Sequence, residues 1–234
     1  MSFLVNFIQI LQKGTMCGRY SVIPKKDSKS HLGKILAETV EQAHYNAAPS
    51  QSLPVVTNEK PNTVQFFSWG LLPFWAKDTK AVKRPINARA ETITEKPSFR
   101  NLLKLKRCLV PADGFFEWKV TDHGKVPHRI TMKDGDLFSF AGLWDEWLDK
   151  STGEIINTFS IITASANELV NPIHDRMPVI LSPEAEELWL DGNESQQGFI
   201  SLLQPFDADK MMAYPVSTLV NSATNNVPEV INSL

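Results

Sequence analysis

"RCLVPADGFFEWKV", residues 107–120, reads as β structure: it is dense in apolar and aromatic side chains and broken by Pro111, Asp113 and Gly114. Alternation along its second half groups Phe116, Trp118 and Val120 on one face and opposes them with Phe115, Glu117 and Lys119. Four further runs read the same way: "NTVQFFSWG" (62–70), "PHRITM" (127–132), "LFSFAGLWDEW" (137–147) and "NTFSIITA" (157–164). Helices are fewer. "SHLGKILAETVEQA" (30–43) places Leu32, Ile35, Leu36 and Val40 on one helical face. "SANE" (165–168) has a capping-box pattern and predicts a short helix ended by Asn171-Pro172. "SPEAEELWL" (182–190) opens with Ser182 as cap and Pro183 at the first helical position, and "QQGFISLL" (196–203) supplies another helix. The sum is an α+β fold: one compact domain with a mostly antiparallel, barrel-like or sandwiched sheet and a few peripheral helices.

The chain has 234 residues, 42% of them hydrophobic, enough for one good core. Its two cysteines, Cys17 and Cys108, lie far apart without a C-x-x-C spacing, which argues against a zinc cluster and a disulfide scaffold and fits a reducing, cytoplasmic compartment. No apolar run approaches the roughly 20 residues that span a bilayer. Residues 1–130 carry 20 Lys and Arg against 10 Asp and Glu, whereas residues 131–234 carry 4 against 16. That asymmetry fits a basic face able to meet phosphates, and equally fits solvated charge that merely clusters in sequence.

Four segments place polar groups where the pattern does not ask for them. In "RPINARAET" (84–92) alternation sends Asn87, Arg89 and Glu91 to one face, either a solvated strand surface or the lining of an anion-binding cleft. Glu117 is flanked by aromatics; in partly apolar surroundings its carboxyl would be raised toward neutrality and suit proton transfer, and the plainer reading is an exposed strand glutamate beside Lys119. His174, in the loop "NPIHDRMPVIL" (171–181), can exchange protons near neutral pH or be a surface residue, with Asp175 and Arg176 able to orient it. Cys17 follows Met16 in "LQKGTMCGRYSV" (11–22), after the apolar leader "MSFLVNFIQIL" (1–11), which has no basic n-region and so does not read as a secretion signal. Residues 1–16 are read as a mis-assigned start upstream of Met16, with a removable propeptide and a packed amphipathic helix as alternatives, and 17–234 as the working domain. If Met16 initiates and is removed, Cys17 carries an α-amine with a pKa of about 7.7–8 beside its thiol. A 1,2-aminothiol condenses with an aldehyde to an imine and closes to a thiazolidine, which an internal cysteine cannot do. A nearby amine or Arg19 would lower the thiol pKa. Cys108, inside an apolar run, reads as a small buried hydrophobe.

"MCGRY" (16–20), "YNAAPS" (45–50), "SWGLLPFWAKD" (68–78), "RPINARAET", "RCLVPADGFFEW", "FAGLWDEW" (140–147) and "HDRMPVIL" (174–181), in this order, resemble the SOS response-associated peptidase (SRAP) family from Met16 to about Leu190. The resemblance implies a β-rich domain whose mature chain begins at the cysteine, with a basic groove leading to it. It implies recognition of abasic sites in single-stranded DNA and capture of the ring-opened sugar as a thiazolidine crosslink. Position by position, Cys17 matches the crosslinking residue, and Asn87, Glu117 and His174 match the other active-site residues. Arg19, Asn46, Trp69 and Arg89 match DNA-contacting segments. Trp69 and Trp75 are candidates to stack on bases, with Trp75 assigned to the core first. The chain is expected to act as a monomer without metal, cofactor or membrane partner. Two other functions fit the residues: a thiol peptidase with Cys17 as nucleophile and His174 as base, and a non-catalytic DNA reader using Lys77, Lys80, Lys83, Arg84, Arg89 and the Arg100–Arg107 cluster.

Overall fold

Every residue from Arg107 to Glu117 is buried, because within this stretch the chain leaves one sheet and enters another. The computed structural model describes residues 17–28, 30–76 and 82–234. The expectations for the leader 1–16, and those for Lys77 and Lys80, fall outside the described residues.

In chain order the strands and helices are β1 (Tyr20–Val22), α1 (His31–Thr39), β2 (His44–Ala47), β3 (Ser52–Thr57), β4 (Lys60–Trp69), β5 (Asn87–Arg89), α2 (Leu102–Leu105), β6 (Arg107–Ala112) and β7 (Gly114–Thr121). They continue as β8 (Gly124–Met132), β9 (Phe138–Leu148), β10 (Ile155–Ser165), β11 (Arg176–Pro178), β12 (Ile180–Leu181), α3 (Pro183–Leu190), α4 (Gln196–Ser201) and β13 (Met211–Pro215). One sheet runs β11-β10-β4-β3-β6-β9-β12, and a β9–β10 pairing closes β10, β4, β3, β6 and β9 into a barrel. Only β4 and β5 run parallel to their partner β10; the other pairings are antiparallel. The second sheet, β13-β8-β7-β1-β2, is wholly antiparallel.

The β-rich, barrel-like α+β architecture read from the sequence is therefore the observed one. Aromatic rings weld the two sheets. Tyr20 of β1 meets the edge of Trp69 at 5.2 Å between centroids and Phe140 at 5.8 Å, Trp69 stacks on Phe159 at 6.2 Å, and Phe115 of β7 meets Phe140 at 6.0 Å. Such edge and offset contacts add to the area these rings bury. On the other face of β7, Phe116 packs with Val216, Val220 and Val230 in a small second cluster. Both faces of β7 are thus covered where Glu117 lies.

Helices α1, α3 and α4 form where expected, each opened by a serine, Ser30, Ser182 or Ser195, whose side chain accepts an amide of the first turn. The "SANE" helix does not form. Ser165 is spent as the last residue of β10, opposite Arg176. The cap is made instead by Asn167, whose Oδ1 accepts the Val170 amide at 3.0 Å. Pro172 has no amide to continue the coil, so only turns follow, closing with His174 N–H on the Val170 carbonyl at 2.9 Å.

The two tryptophans are reversed relative to expectation. Trp69 is 1% exposed, and its indole N–H donates to the Ile86 carbonyl at 2.9 Å. Stacked on Phe159, packed against Tyr20 and buried, it presents nothing to a base. Trp75, beyond Gly70 and Pro73 where the strand has ended, is 52% exposed. Trp69→Ala is expected to cost about 3–5 kcal/mol and Trp75→Ala less than about 0.5 kcal/mol, read by urea unfolding of the two variants side by side.

Candidate active site

The register of β1 on β7 brings the cysteine to the glutamate. Tyr20 pairs Phe115 and the Phe116 amide donates to the Arg19 carbonyl at 3.0 Å. Continued two residues further, the count sets Gly18 opposite Glu117, with Cys17 arriving next. The Cys17 backbone N–H donates to Glu117 Oε1 at 2.7 Å, and both residues are 2% exposed. Cys17 has a φ of +43°, the left-handed region that a side chain makes costly.

Burial is the dominant influence on both groups. It raises the Glu117 carboxyl above the usual carboxylate range, opposed by the nearby His174 charge and by hydrogen bonds from Cys17. It also pushes the Cys17 thiol up, reinforced by the charge and hydrogen bonding of Glu117. The expectation that Arg19 would lower this thiol is therefore corrected. Arg19 donates through Nη1 to Asn46 Oδ1 at 3.0 Å and the Val220 carbonyl at 3.1 Å. The cation that acts against the rise is Arg176, which the sequence offered only as a neighbour of His174.

His174 ends the turns after Asn167. Its Nδ1 accepts the Arg176 amide at 3.1 Å, and Asp175 Oδ1 lies 3.2 Å from the same nitrogen. Arg176 is clasped by Glu91 Oε1 at 2.5 Å and Oε2 at 2.9 Å and donates to the Thr163 carbonyl at 2.6 Å. Asn87 is half-buried at the start of β5, held in parallel register on β10 opposite Ile161. The structure thus joins Cys17 directly to Glu117 and brings His174 within electrostatic reach of it; Asn87 enters through the pairing of β5 with β10.

The expected DNA-contacting residues divide. Arg89 is exposed. Asn46 is buried and donates through Nδ2 to the carbonyls of Val220, Ser222 and Asn225, so it clamps the C-terminal segment to β2 and steadies Arg19. Within the 100–107 cluster, Arg107 is 1% exposed, donates to the carbonyls of Leu103, Lys104, Trp189 and Asp191, and stacks 3.8 Å from the Phe199 ring centre. It serves the ends of α2 and α3, not a phosphate. Cys108 is buried in the barrel with its thiol pushed far up, as a small hydrophobe would be. Among the described residues no group of three or more His, Cys, Asp or Glu is arranged to hold a metal ion, and no helix is long and apolar enough to cross a membrane.

The structure thus sets a buried cysteine, bonded through its nitrogen to a buried glutamate and with a histidine nearby, on a barrel joined to a second sheet. The model of the SOS response associated peptidase (SRAP) family matches residues 16–223, and the chain belongs to that family. It is 47% identical over 224 residues to the "Abasic site processing protein YoqW" of Bacillus subtilis, covering 93% of this chain and all of that protein. The "Abasic site processing protein HMCES" of Gallus gallus is 36% identical over 220 residues, covering 80% of this chain and 65% of that one. A solved structure of a protein from Bacteroides thetaiotaomicron superposes with a TM-score of 0.81 at 38% identity, covering 93% of this chain and all of the other.

Because burial raises the Glu117 carboxyl, it ionises less readily in the folded chain than in the unfolded one. Stability is therefore lost as pH rises from the unfolded value of about 4.3 through the folded one. Glu117→Gln keeps the shape and an acceptor for Cys17. It is expected to raise the calorimetric Tm at about pH 7.5 and to leave it near wild type at about pH 4. A Tm at about pH 7.5 equal to or below wild type contradicts burial as the dominant influence.

Proposed function

We propose that the protein traps abasic sites in single-stranded DNA by forming a thiazolidine between Cys17 and the ring-opened sugar. The observation that carries this reading is the 2.7 Å bond from the Cys17 nitrogen to a carboxyl raised by burial. Once that nitrogen is a free α-amine, Glu117 is the group placed to take its proton, since a raised carboxyl lies nearer the amine value of about 7.7–8. The neutral amine adds to the aldehyde carbon to give a carbinolamine. Its hydroxyl leaves as water with a proton from Glu117 or His174, forming an imine. The thiol then adds to the imine carbon, its proton passes to the nitrogen, and the ring closes with one water lost overall. Asn87 would hold the sugar hydroxyls or the N-terminal residue. Arg89 and Lys83, both exposed, would meet phosphates. Trp75 takes the stacking role first considered for Trp69, worth about 1–3 kcal/mol per base.

A second activity is favoured by the backbone at Cys17. The angle φ of +43° exists only while a peptide carbonyl precedes the nitrogen, and this conformation costs about 1–2 kcal/mol. Cleavage before Cys17 removes that cost, which supports self-processing: the thiol attacks the preceding carbonyl, the amine leaves with a proton from Glu117, and water hydrolyses the thioester.

Incubation with single-stranded DNA bearing one abasic site is expected to give an adduct that survives denaturing electrophoresis. Cys17→Ala should give none without borohydride, because its amine reaches only the imine. An extra residue that stays attached ahead of Cys17 should abolish both adducts. A peptidase acting on other proteins would keep its turnover in that blocked form, and a non-catalytic reader would bind equally well with Cys17→Ala. A chain verified by mass to begin at Cys17 that forms no adduct defeats the proposal.

A further inference from the structure

Arg176 and Glu91 form a bridge whose position in the sheet matters more than its strength. Glu91 lies in the short turn Ala90–Thr92 directly after β5, and Arg176 opens β11. Both strands are three residues long, and both pair with β10: Thr163 stands in register with Arg89 on one side and with Pro178 on the other. The side chains of Glu91 and Arg176 therefore meet across their common neighbour, where Arg176 also donates to the Thr163 carbonyl at 2.6 Å. Each short strand, held by a few ladder bonds, is by itself an easily opened edge. A bidentate carboxylate–guanidinium pair, at 2.5 and 2.9 Å, fixes orientation as well as distance. Any shift of Arg176 is also passed on directly, because its amide donates to His174 Nδ1 at 3.1 Å.

We propose that Glu91 is a positioning residue: by clasping Arg176 over β10 it locks the strand bearing Asn87 to the segment bearing His174, so that the two halves of the site share one geometry. This rests on the crosslinking reading above and deepens it. Among the described residues Glu91 hydrogen-bonds Arg176 and none of Cys17, Glu117 or His174. Its carboxylate is half exposed although Arg176 is buried, and Glu91→Gln leaves an oxygen for the guanidinium, which also keeps its bond to the Thr163 carbonyl. Loss of Glu91 should therefore reduce the chemistry far more than the fold.

The test is single-turnover crosslinking to an oligonucleotide with one abasic site, run across DNA concentrations to separate the maximal rate from the half-saturating concentration. Tm is measured on the same samples. Wild type must crosslink; if it does not, the proposed function fails and the role of Glu91 is not what failed. Glu91→Gln is expected to lower the maximal rate about tenfold and to move half-saturation by less than about twofold. Glu91→Asp, which restores the charge, should recover part of the rate and serves also if Glu91→Gln folds poorly. Asn58→Ala is the comparison, since it removes hydrogen bonds to the Arg107 amide, the Leu105 carbonyl and the Trp144 indole at the start of β6, away from the site. Its Tm should fall at least as far as that of Glu91→Gln while its maximal rate stays at wild type. A wild-type rate in Glu91→Gln overturns the proposal. So does a rate loss matched by Asn58→Ala at equal loss of Tm, and so does a raised half-saturating concentration with the maximal rate intact.

Discussion

A carboxyl group two or three ångströms from a backbone nitrogen is ordinary at a protein surface; the Cys17–Glu117 contact differs because both partners are almost wholly buried. Removing an ionised carboxylate from water costs several kcal/mol unless partners replace the lost hydration. Hydrogen bonds to a charged group return about 1.5–3 kcal/mol each. The balance at Glu117 is incomplete, since burial outweighs the help from Cys17 and His174 and the carboxyl holds its proton more tightly than usual. A group left in that state holds its proton more tightly than an exposed glutamate does, as a proton donor must. The same imbalance makes the folded chain less stable above the folded-state pKa of Glu117 than below its unfolded value.

The surrounding fold keeps this imbalance from relaxing. Glu117 cannot swing to solvent because β7 is covered on one face by the aromatic weld around Phe115 and on the other by the Phe116 cluster. The bend that carries the chain from β6 into β7 is pinned at Asp113, whose carboxylate accepts from Arg129 at 2.7 Å and whose carbonyl accepts from Thr131 at 2.7 Å. Gly114 follows with Arg129 guanidinium atoms packed so closely that an added Cβ would lie 2.7–2.8 Å from them. A side chain there would push the guanidinium off Asp113 and disturb the bend. The position of Glu117 thus descends from "PADGFFEW" through one buried ion pair and one close approach.

Much of this was legible in the residues. Alternation in 107–120 gave the strand and put Glu117 beside Phe115; apolar spacing gave the helix after Ser30, and Ser182 with Pro183 gave the start of α3; the ordered motifs gave the family. The failures share a physical cause. Periodicity records which face a side chain takes but not whether that face is covered. Glu117 therefore read most simply as exposed, and Trp69 and Trp75 exchanged places. Charge counting treats every arginine as a cation for phosphate, although Arg107 is consumed by four carbonyls of the chain itself. The "SANE" pattern had the right cap chemistry, but pairing of β10 with β11 had already claimed Ser165. Arg176 was visible only as a charge beside His174, because its partner Glu91 lies 85 residues away and is brought near by β10.

In the crosslinking proposed above, the raised thiol bears on the order of events. A nucleophilic cysteine that attacks first needs a depressed pKa, supplied by a cation or a helix start. Cys17 has the reverse, with burial and Glu117 holding its proton and Arg176 opposing them. Such a sulfur is a poor first nucleophile toward a separate peptide or a free aldehyde, neither of which is bonded to its own nitrogen. It becomes effective once an electrophilic carbon already sits on the neighbouring nitrogen, where the ring-closing attack is intramolecular and gains the large advantage of proximity. Deprotonated at the start, Glu117 can relieve the amine of its proton; reprotonated, it can assist the loss of water. It then stands beside the sulfur when the last proton must move, so one carboxyl can serve nitrogen and sulfur in turn because burial holds it against both.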